Sequence, residues 1–276
     1  MKEGARSQLT GPAANRNLSD DLPLDALEFR VHGVKVHALQ PNQAVTFMTD
    51  RLKPGKNGKR RFRYLVSTNI NNIVCAIESE VYAKVMECAD ISVPDGIPLI
   101  WIGRALGRYL PSRCGIEEVM LAIFELSSKG HNYSHYFYGN TEEVLDQLRI
   151  NLTTKYPNIN IVGMRSPPFR LLTDEENDHD IDLINRAAPD FLWVSLGCPR
   201  QESWLFNNRD RLNAGFGGGA GAVFNFLSGH SPQPPHWLRM AGLEWSFRLV
   251  SEPLRLWRRY LVRYPKFFYY FIHLPK

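Results

Sequence analysis

The strongest constraint on the fold is an alternation. Five short runs rich in β-branched and aromatic residues are each followed by a segment with apolar positions at helical spacing. The runs are "FRYLVSTN" (62–69), "DISVP" (90–94), "SHYFYG" (134–139), "INIVGMR" (159–165) and "DFLWVSLG" (190–197). Strands separated by helices cannot pair as hairpins, so the pattern predicts an α/β sandwich with a largely parallel sheet. Ahead of it, "LEFRVHGVKVHAL" (27–39) alternates like a hairpin or edge strand turning at His32-Gly33. The predicted helices include one over 71–89, one over 97–107, one opened by Thr141 and one over 178–189. In parallel sheets ligands bind beyond the carboxyl ends of strands. Those ends are Ser67–Asn69, Pro94–Gly96, Gly139-Asn140 and Gly197–Gln201.

With 276 residues, 44% hydrophobic and 22% charged, the chain can bury one substantial core or two small ones. Its four cysteines form no C-x-x-C pair, which argues against a zinc site or a disulfide scaffold and fits a reducing compartment. Residues 1–26 lack the apolar stretch of a signal peptide and read as a disordered leader. No run of apolar residues is long enough to span a bilayer. The net charge of +5 is concentrated: residues 236–276 carry eight basic residues against Glu244 and Glu252. A core over 27–234 and a basic, aromatic, helical appendage over 235–276 follow as the expected organisation. Ser251-Glu252-Pro253 predicts a break between two helices there.

Several stretches carry candidate chemistry, each beside a plainer reading. In "ADISVPDGIPLIW" (89–101) Asp95 sits between two apolar runs. It is either the N-cap of the next helix or a general base held at a cleft. In "STNINN" (67–72) Asn69 suits an N-cap equally well, while Ser67 and Asn69 could face a sugar or phosphate. "LGCPRQESW" (196–204) is either an ordinary strand-to-helix turn or a site where Gly197, Gln201 and Glu202 meet a nucleotide or sugar at a helix start. "GFGGGAG" (215–221) matches G-x-G-x-x-A through Gly215, Gly217 and Ala220. No acid follows about twenty residues on, so a dinucleotide site fits poorly. A flexible loop approaching a different nucleotide, with Gly219 and Gly221 in it, fits better. "DHDID" (178–182) is read as a solvated helix face rather than a metal site. In the tail, Arg248, Arg255 and Arg258/Arg259 recur beside an apolar stripe of Leu254, Trp257 and Leu261. A terminal helix packed on the core and a helix seated at an anionic lipid interface both fit; nucleic-acid binding lacks any other motif.

Taken in order, "STNINNIV", "ADISVPDGIPLIWIGRALG", "FYGN", "YPNINIVG", "LGCPRQESW", "NRDRL", "GAGAVFNFLSG" and "GLEWSFRLVSEPLRLWRRYL" resemble the WecG/TagA/CpsF glycosyltransferases, glycosyltransferase family 26, over about residues 30 to 270. The resemblance implies a Rossmann-like fold of the GT-E type, with a C-terminal appendage that meets the membrane. It also implies a bacterial inverting enzyme of cell-envelope or exported polysaccharide synthesis. Such an enzyme works peripherally at the cytoplasmic face of the inner membrane. It moves a sugar from a UDP-sugar to an acceptor sugar on a polyprenyl diphosphate.

By resemblance the base is Asp95, and Ser67 and Asn69 occupy the family's T-x-N motif. Arg113 corresponds to an arginine after the PDG helix. Gln201, with Glu202, holds the place of the glutamine in LG-x-P-K-Q-E, and Arg248, Arg255 and Arg258 are the appendage arginines. Ser67 stands where threonine is commoner. Glu117 and Glu118 put acids where acceptor choice is read, and Asn225 replaces an aspartate. A single displacement needs a base and charge stabilisation for the leaving UDP. Asp95 is assigned the first task, Arg113 and the tail arginines the second, and Gln201 with the glycine-rich loop the donor. No metal or other cofactor is expected. Homo-oligomerisation is left open, and no nucleic-acid partner is expected. The rival classes are a nucleotide-binding oxidoreductase and a non-catalytic membrane adaptor.

Overall fold

The structure, a computed structural model, describes residues 23–52, 60–235, 237–238 and 242–273. The expected leader therefore lies almost wholly outside the described residues, as do Arg239 and Lys276 of the basic tail. After a short 3-10 turn, strands β1 (Glu28–Val31) and β2 (Val34–His37) form the expected hairpin, with His32 and Gly33 at positive φ. The main sheet comprises β3 (Arg63–Thr68), β4 (Ile91–Pro94), β5 (Ser134–Gly139), β6 (Asn160–Arg165), β7 (Phe191–Ser195) and β8 (Phe216–Gly219). All six strands are parallel, in the order β4-β3-β8-β7-β5-β6. The expected α/β sandwich with a parallel sheet is the observed architecture. Two apolar clusters form, one including Val66, Val194 and Leu205 and the other Leu65, Val93 and Trp193. Adjacent residues of β3 and β7 thus fall in opposite clusters, as expected of strands covered on both faces.

The helices are α1 (Pro41–Asp50), α2 (Ile70–Glu78), α3 (Glu80–Glu87), α4 (Ile97–Ala105), α5 (Ile116–Leu126), α6 (Glu142–Lys155), α7 (Asp174–Ala187), α8 (Arg200–Asn208) and α9 (Val223–Leu227). Beyond the core come α10 (Glu244–Ser251), α11 (Pro253–Trp257), a π-helical stretch over Arg258–Arg263, and α12 (Tyr264–His273). No helix among the described residues is long and apolar enough to cross a membrane.

Three expectations change. The single helix over 71–89 is two, because Ser79 is extended (φ −148°, ψ 110°) and its hydroxyl caps α3 by accepting from Tyr82 N. The tail does break within Ser251-Glu252-Pro253 as expected: α10 ends at Ser251, and Glu252 is the N-cap of α11. Asp180 is not on a solvated face: it is 1% exposed and accepts from Tyr138 Oη and Arg165 Nε. The run 216–219 is a central strand rather than a flexible loop. Its glycines make room for neighbours, since a β-carbon on Gly217 would strike Phe62 and Leu205, and one on Gly218 would crowd Ile116 and Trp193.

Candidate active site

The carboxyl ends of β3, β4, β7 and β8 open on a cavity of about 980 Å³. Ser67, Asn69, Asp95, Arg113, Gly197, Gln201, Glu202, Gly219, Gly221, Arg248, Arg255 and Arg258 line it, whereas Gly215, Gly217 and the acids of 178–182 do not.

Asp95 follows β4 directly, its amide donating to Thr68 O on the neighbouring strand (2.7 Å). It does not cap α4. That helix begins from Gly96 at φ +109°, with no side-chain cap. The carboxylate turns the other way. Ser67 Oγ donates to Oδ2 (3.0 Å), and Arg113 Nη1 lies 3.7 Å from Oδ1. Arg113 also binds Glu118 through Nε and Nη2 (3.0 and 2.7 Å) and Glu244 of α10 through Nη1 (2.7 Å). Gly115 leaves space for this crowding, because a β-carbon there would meet Glu118 Oε2 and Asp95 Oδ1. Burial pushes the Asp95 carboxyl above the usual aspartate range; Arg113 opposes the shift, while Glu244 and Glu118 add to it. A carboxylate held reluctantly ionised and still 28% exposed is suited to taking a proton.

The β7–β8 side is built differently. The turn before α8 uses Gly197 at φ +78°, and the Cys198–Pro199 peptide is cis. Gln201 Oε1 accepts from Gly221 N (3.1 Å), while its Nε2 donates to the buried Glu202 (2.8 Å), which fixes the orientation of the amide. A β-carbon on Gly219 would sit 2.5 Å from Gln201 Nε2, so only glycine keeps the amide in place. Ser195 Oγ donates to Gly221 O (2.7 Å), and Asn140, at φ +66°, donates from Nδ2 to Asn225 Oδ1 (2.6 Å). Asn225 thus supplies the acceptor a carboxylate would supply, without the charge. Glu117 lines the cavity and accepts from Gln233 (3.0 Å); Glu118 accepts from Arg113 through Oε1, and its buried Oε2 has no hydrogen-bond partner.

The C-terminal helices close the β3–β4 side. Asn69 caps α2 by accepting from Asn71 N and Asn72 N (3.0 and 3.4 Å), and its Oδ1 also receives Arg259 Nη2 (3.4 Å). Arg263 donates to Asn71 Oδ1 (2.8 Å). Arg248, 13% exposed, stacks over Phe226 at 5.6 Å and lies 3.9 Å from Glu244. The Nε atoms of Arg248 and Arg259 are buried without hydrogen-bond partners. Arg258 and Arg255 are exposed on the rim, Arg255 paired with Glu252. The sequence pattern missed Glu244 as a site residue, and it named Arg258/Arg259 together while the resemblance assigned a role only to Arg258. Of the two adjacent arginines that open the π-helical stretch over Arg258–Arg263, Arg259 reaches Asn69 and Arg258 stays on the rim. Asn140 was visible as a strand end and in "FYGN" without a role, and Ser195 lay unremarked within the run 190–197.

A profile of the Glycosyl transferase WecG/TagA/CpsF family matches residues 29–274. The chain is 27% identical over 222 residues to the N-acetylglucosaminyldiphosphoundecaprenol N-acetyl-beta-D-mannosaminyltransferase of Bacillus subtilis (strain 168), covering 80% of this chain and 83% of that one. Proteins of the same name from Bacillus spizizenii (26% identity; 72% of this chain, 74% of that one) and Staphylococcus aureus strain MW2 (23%; 71% and 74%) are also similar.

Proposed function

Because the chain belongs to the WecG/TagA/CpsF glycosyltransferase family, we propose that this glycosyltransferase moves a sugar from a UDP-sugar to a sugar carried on a polyprenyl diphosphate, with inversion. The similar enzymes from Bacillus and Staphylococcus are named for an acceptor of that kind. The observation that carries the reading is the placing of Asp95. It sits at the carboxyl end of β4, accepts from Ser67, faces Arg113 and opens on the cavity.

In this reading the donor lies against the neutral wall of Gly197, Gln201, Gly219 and Gly221. Hydrogen bonds there recognise it without competing for its charge. The acceptor hydroxyl lies against Asp95 Oδ1 or Oδ2, which takes its proton as the hydroxyl oxygen attacks the anomeric carbon. The bond to UDP breaks, and UDP leaves with its pair of electrons. Arg113 keeps the Asp95 carboxylate aimed. Arg248 and Arg259 offset the charge of the acceptor diphosphate and the rim arginines Arg255 and Arg258 that of the leaving UDP, so the reading calls on no metal. The glycine run lies within β8 instead of forming a loop at a helix start, which removes the basis for a dinucleotide-dependent oxidoreductase.

The reading places the enzyme peripherally on the cytoplasmic face of the membrane. Supporting this, the C-terminal helices turn Val250, Leu254, Leu261 and Ile272 outward, Leu254 being 92% exposed. The test is thermal shift against a panel of UDP-sugars, then transfer from the best binder to a synthetic lipid-linked sugar. Stabilisation by one UDP-sugar and transfer from it are expected. Binding without transfer to any lipid-linked sugar would sink the reading.

A further inference from the structure

A second cavity, about 470 Å³, adjoins the first. Asn69, Asp95, Arg113, Glu244, Arg248 and Arg259 line both, so the candidate base sits at their junction. Away from that junction the second cavity is apolar. Ile97, Pro98 and Trp101 of α4 form one side, and Trp245, Tyr264 and Phe268 of the C-terminal helices the other. Trp101 and Phe268 are exposed by 63% and 54%, large aromatic rings left in water beside an apolar groove.

A groove between a charged site and solvent is expensive unless something apolar fills it. The charged end carries its own demand for a ligand. The Nε atoms of Arg248 and Arg259 are buried with nothing to donate to, and an unmet charged donor costs more than a neutral one. Arg113 cannot be the missing binder's main partner, because Glu118 and Glu244 already occupy its donors. One molecule answers both ends: an anion of phosphate chemistry at the two guanidiniums, with a hydrocarbon chain running from it along α4.

Resting on the reaction proposed above, we infer that the groove between α4 and the C-terminal helices holds the first isoprene units of the acceptor's polyprenyl chain. Arg248 and Arg259 hold its diphosphate, and Trp101 and Phe268 flank the chain. The diphosphate is attached to the sugar that Asp95 activates, so its seat must adjoin the base, as Arg248 and Arg259 do. The lipid then enters from the side of the protein where the C-terminal helices expose their apolar residues, and the donor from the opposite wall. Because α10 and α12 supply one side of the groove, the lipid and the C-terminal helices would organise each other.

The experiment is calorimetric binding of inorganic diphosphate and of geranyl, farnesyl and geranylgeranyl diphosphate to the full chain in detergent-free buffer. Burying each added isoprene unit should tighten Kd by at least about tenfold until the groove is full. In the Trp101→Ala/Phe268→Ala protein, whose substituted rings are largely exposed, the gain per unit should fall to about twofold or less. Arg248→Ala/Arg259→Ala should weaken all four ligands by at least about tenfold. A Kd independent of chain length, or a gain that survives Trp101→Ala/Phe268→Ala, would overturn the inference. The reaction is scored separately, by transfer to a lipid-linked sugar. Absence of transfer with the chain-length gain intact would refute the acceptor reading and leave the prenyl groove standing.

Discussion

The two walls of the cavity solve different problems with different materials. The β7–β8 wall is made of backbone groups and side-chain amides: Gly221 N to Gln201, Gln201 to Glu202, Asn140 to Asn225. Its components all come from the α/β core. The β3–β4 wall is ionic, with Asp95, Glu118 and Glu244 set against Arg113, Arg248 and Arg259. Half of it comes from the C-terminal helices. The core alone therefore completes the hydrogen-bonding surface, but the charge balance around Asp95 exists only when those helices are docked. Docking is not a loose attachment. Phe267 of α12 is 1% exposed and meets His32 of the hairpin turn edge-on at 6.1 Å. Deleting residues 236–276 would open the core as well as the site, so point substitutions separate the walls more cleanly.

The largest expected effect is on the ionic wall. Asp95→Asn should cut transfer by at least about a hundredfold, the scale of a lost general base, while the protein still binds its UDP-sugar in a thermal-shift assay. The same change should raise Tm at neutral pH. A carboxyl whose native pKa lies above its unfolded value binds its proton more tightly when folded, so its ionisation destabilises the native state as pH rises through that pKa. The gain in Tm should fade as pH falls below the native pKa, where Asp95 is already neutral. Near-normal turnover of Asp95→Asn would reduce the residue to a structural role.

A smaller effect should isolate the neutral wall. In Gly219→Ala the new methyl displaces the Gln201 amide, and the KM for UDP-sugar should rise about tenfold with acceptor KM little changed. An equal rise in both constants would mean that the walls do not divide the substrates.

The smallest effect joins the two parts of the chain. Glu244 adds to the upward push on the Asp95 carboxyl, so Glu244→Gln should move the acid limb of kcat/KM to lower pH. A pH profile identical to the native one would show that the C-terminal helices do not tune the base.

How much of this was legible in the sequence follows from what each feature depends on. Strand–helix alternation and strand ends are local, and they located Ser67, Asp95, Gly197 and Gln201 in one cavity. The break at Ser79 hid inside an unbroken apolar periodicity, because a serine can cap without interrupting the pattern. The glycines of 215–219 looked like a loop because their reason is tertiary: Phe62, Leu205, Ile116 and Trp193 need the space. Asp180 looked solvated because its partners, Tyr138 and Arg165, lie on other elements. Arg258 and Arg259 stood together in the pattern, and spacing alone does not say which of two adjacent arginines turns to Asn69. The family resemblance supplied roles for several of these residues, but Glu244, the contact through which α10 holds Arg113, came only from the fold.

The central claim is that the ionic wall receives the acceptor and the neutral wall the donor. Its most direct test is steady-state transfer by Arg248→Ala/Arg259→Ala, with UDP-sugar and lipid-linked acceptor varied in turn. Acceptor KM should rise by at least about tenfold while donor KM stays within about twofold of the native value. A rise in donor KM with acceptor KM unchanged would place the UDP diphosphate at these arginines and contradict the account.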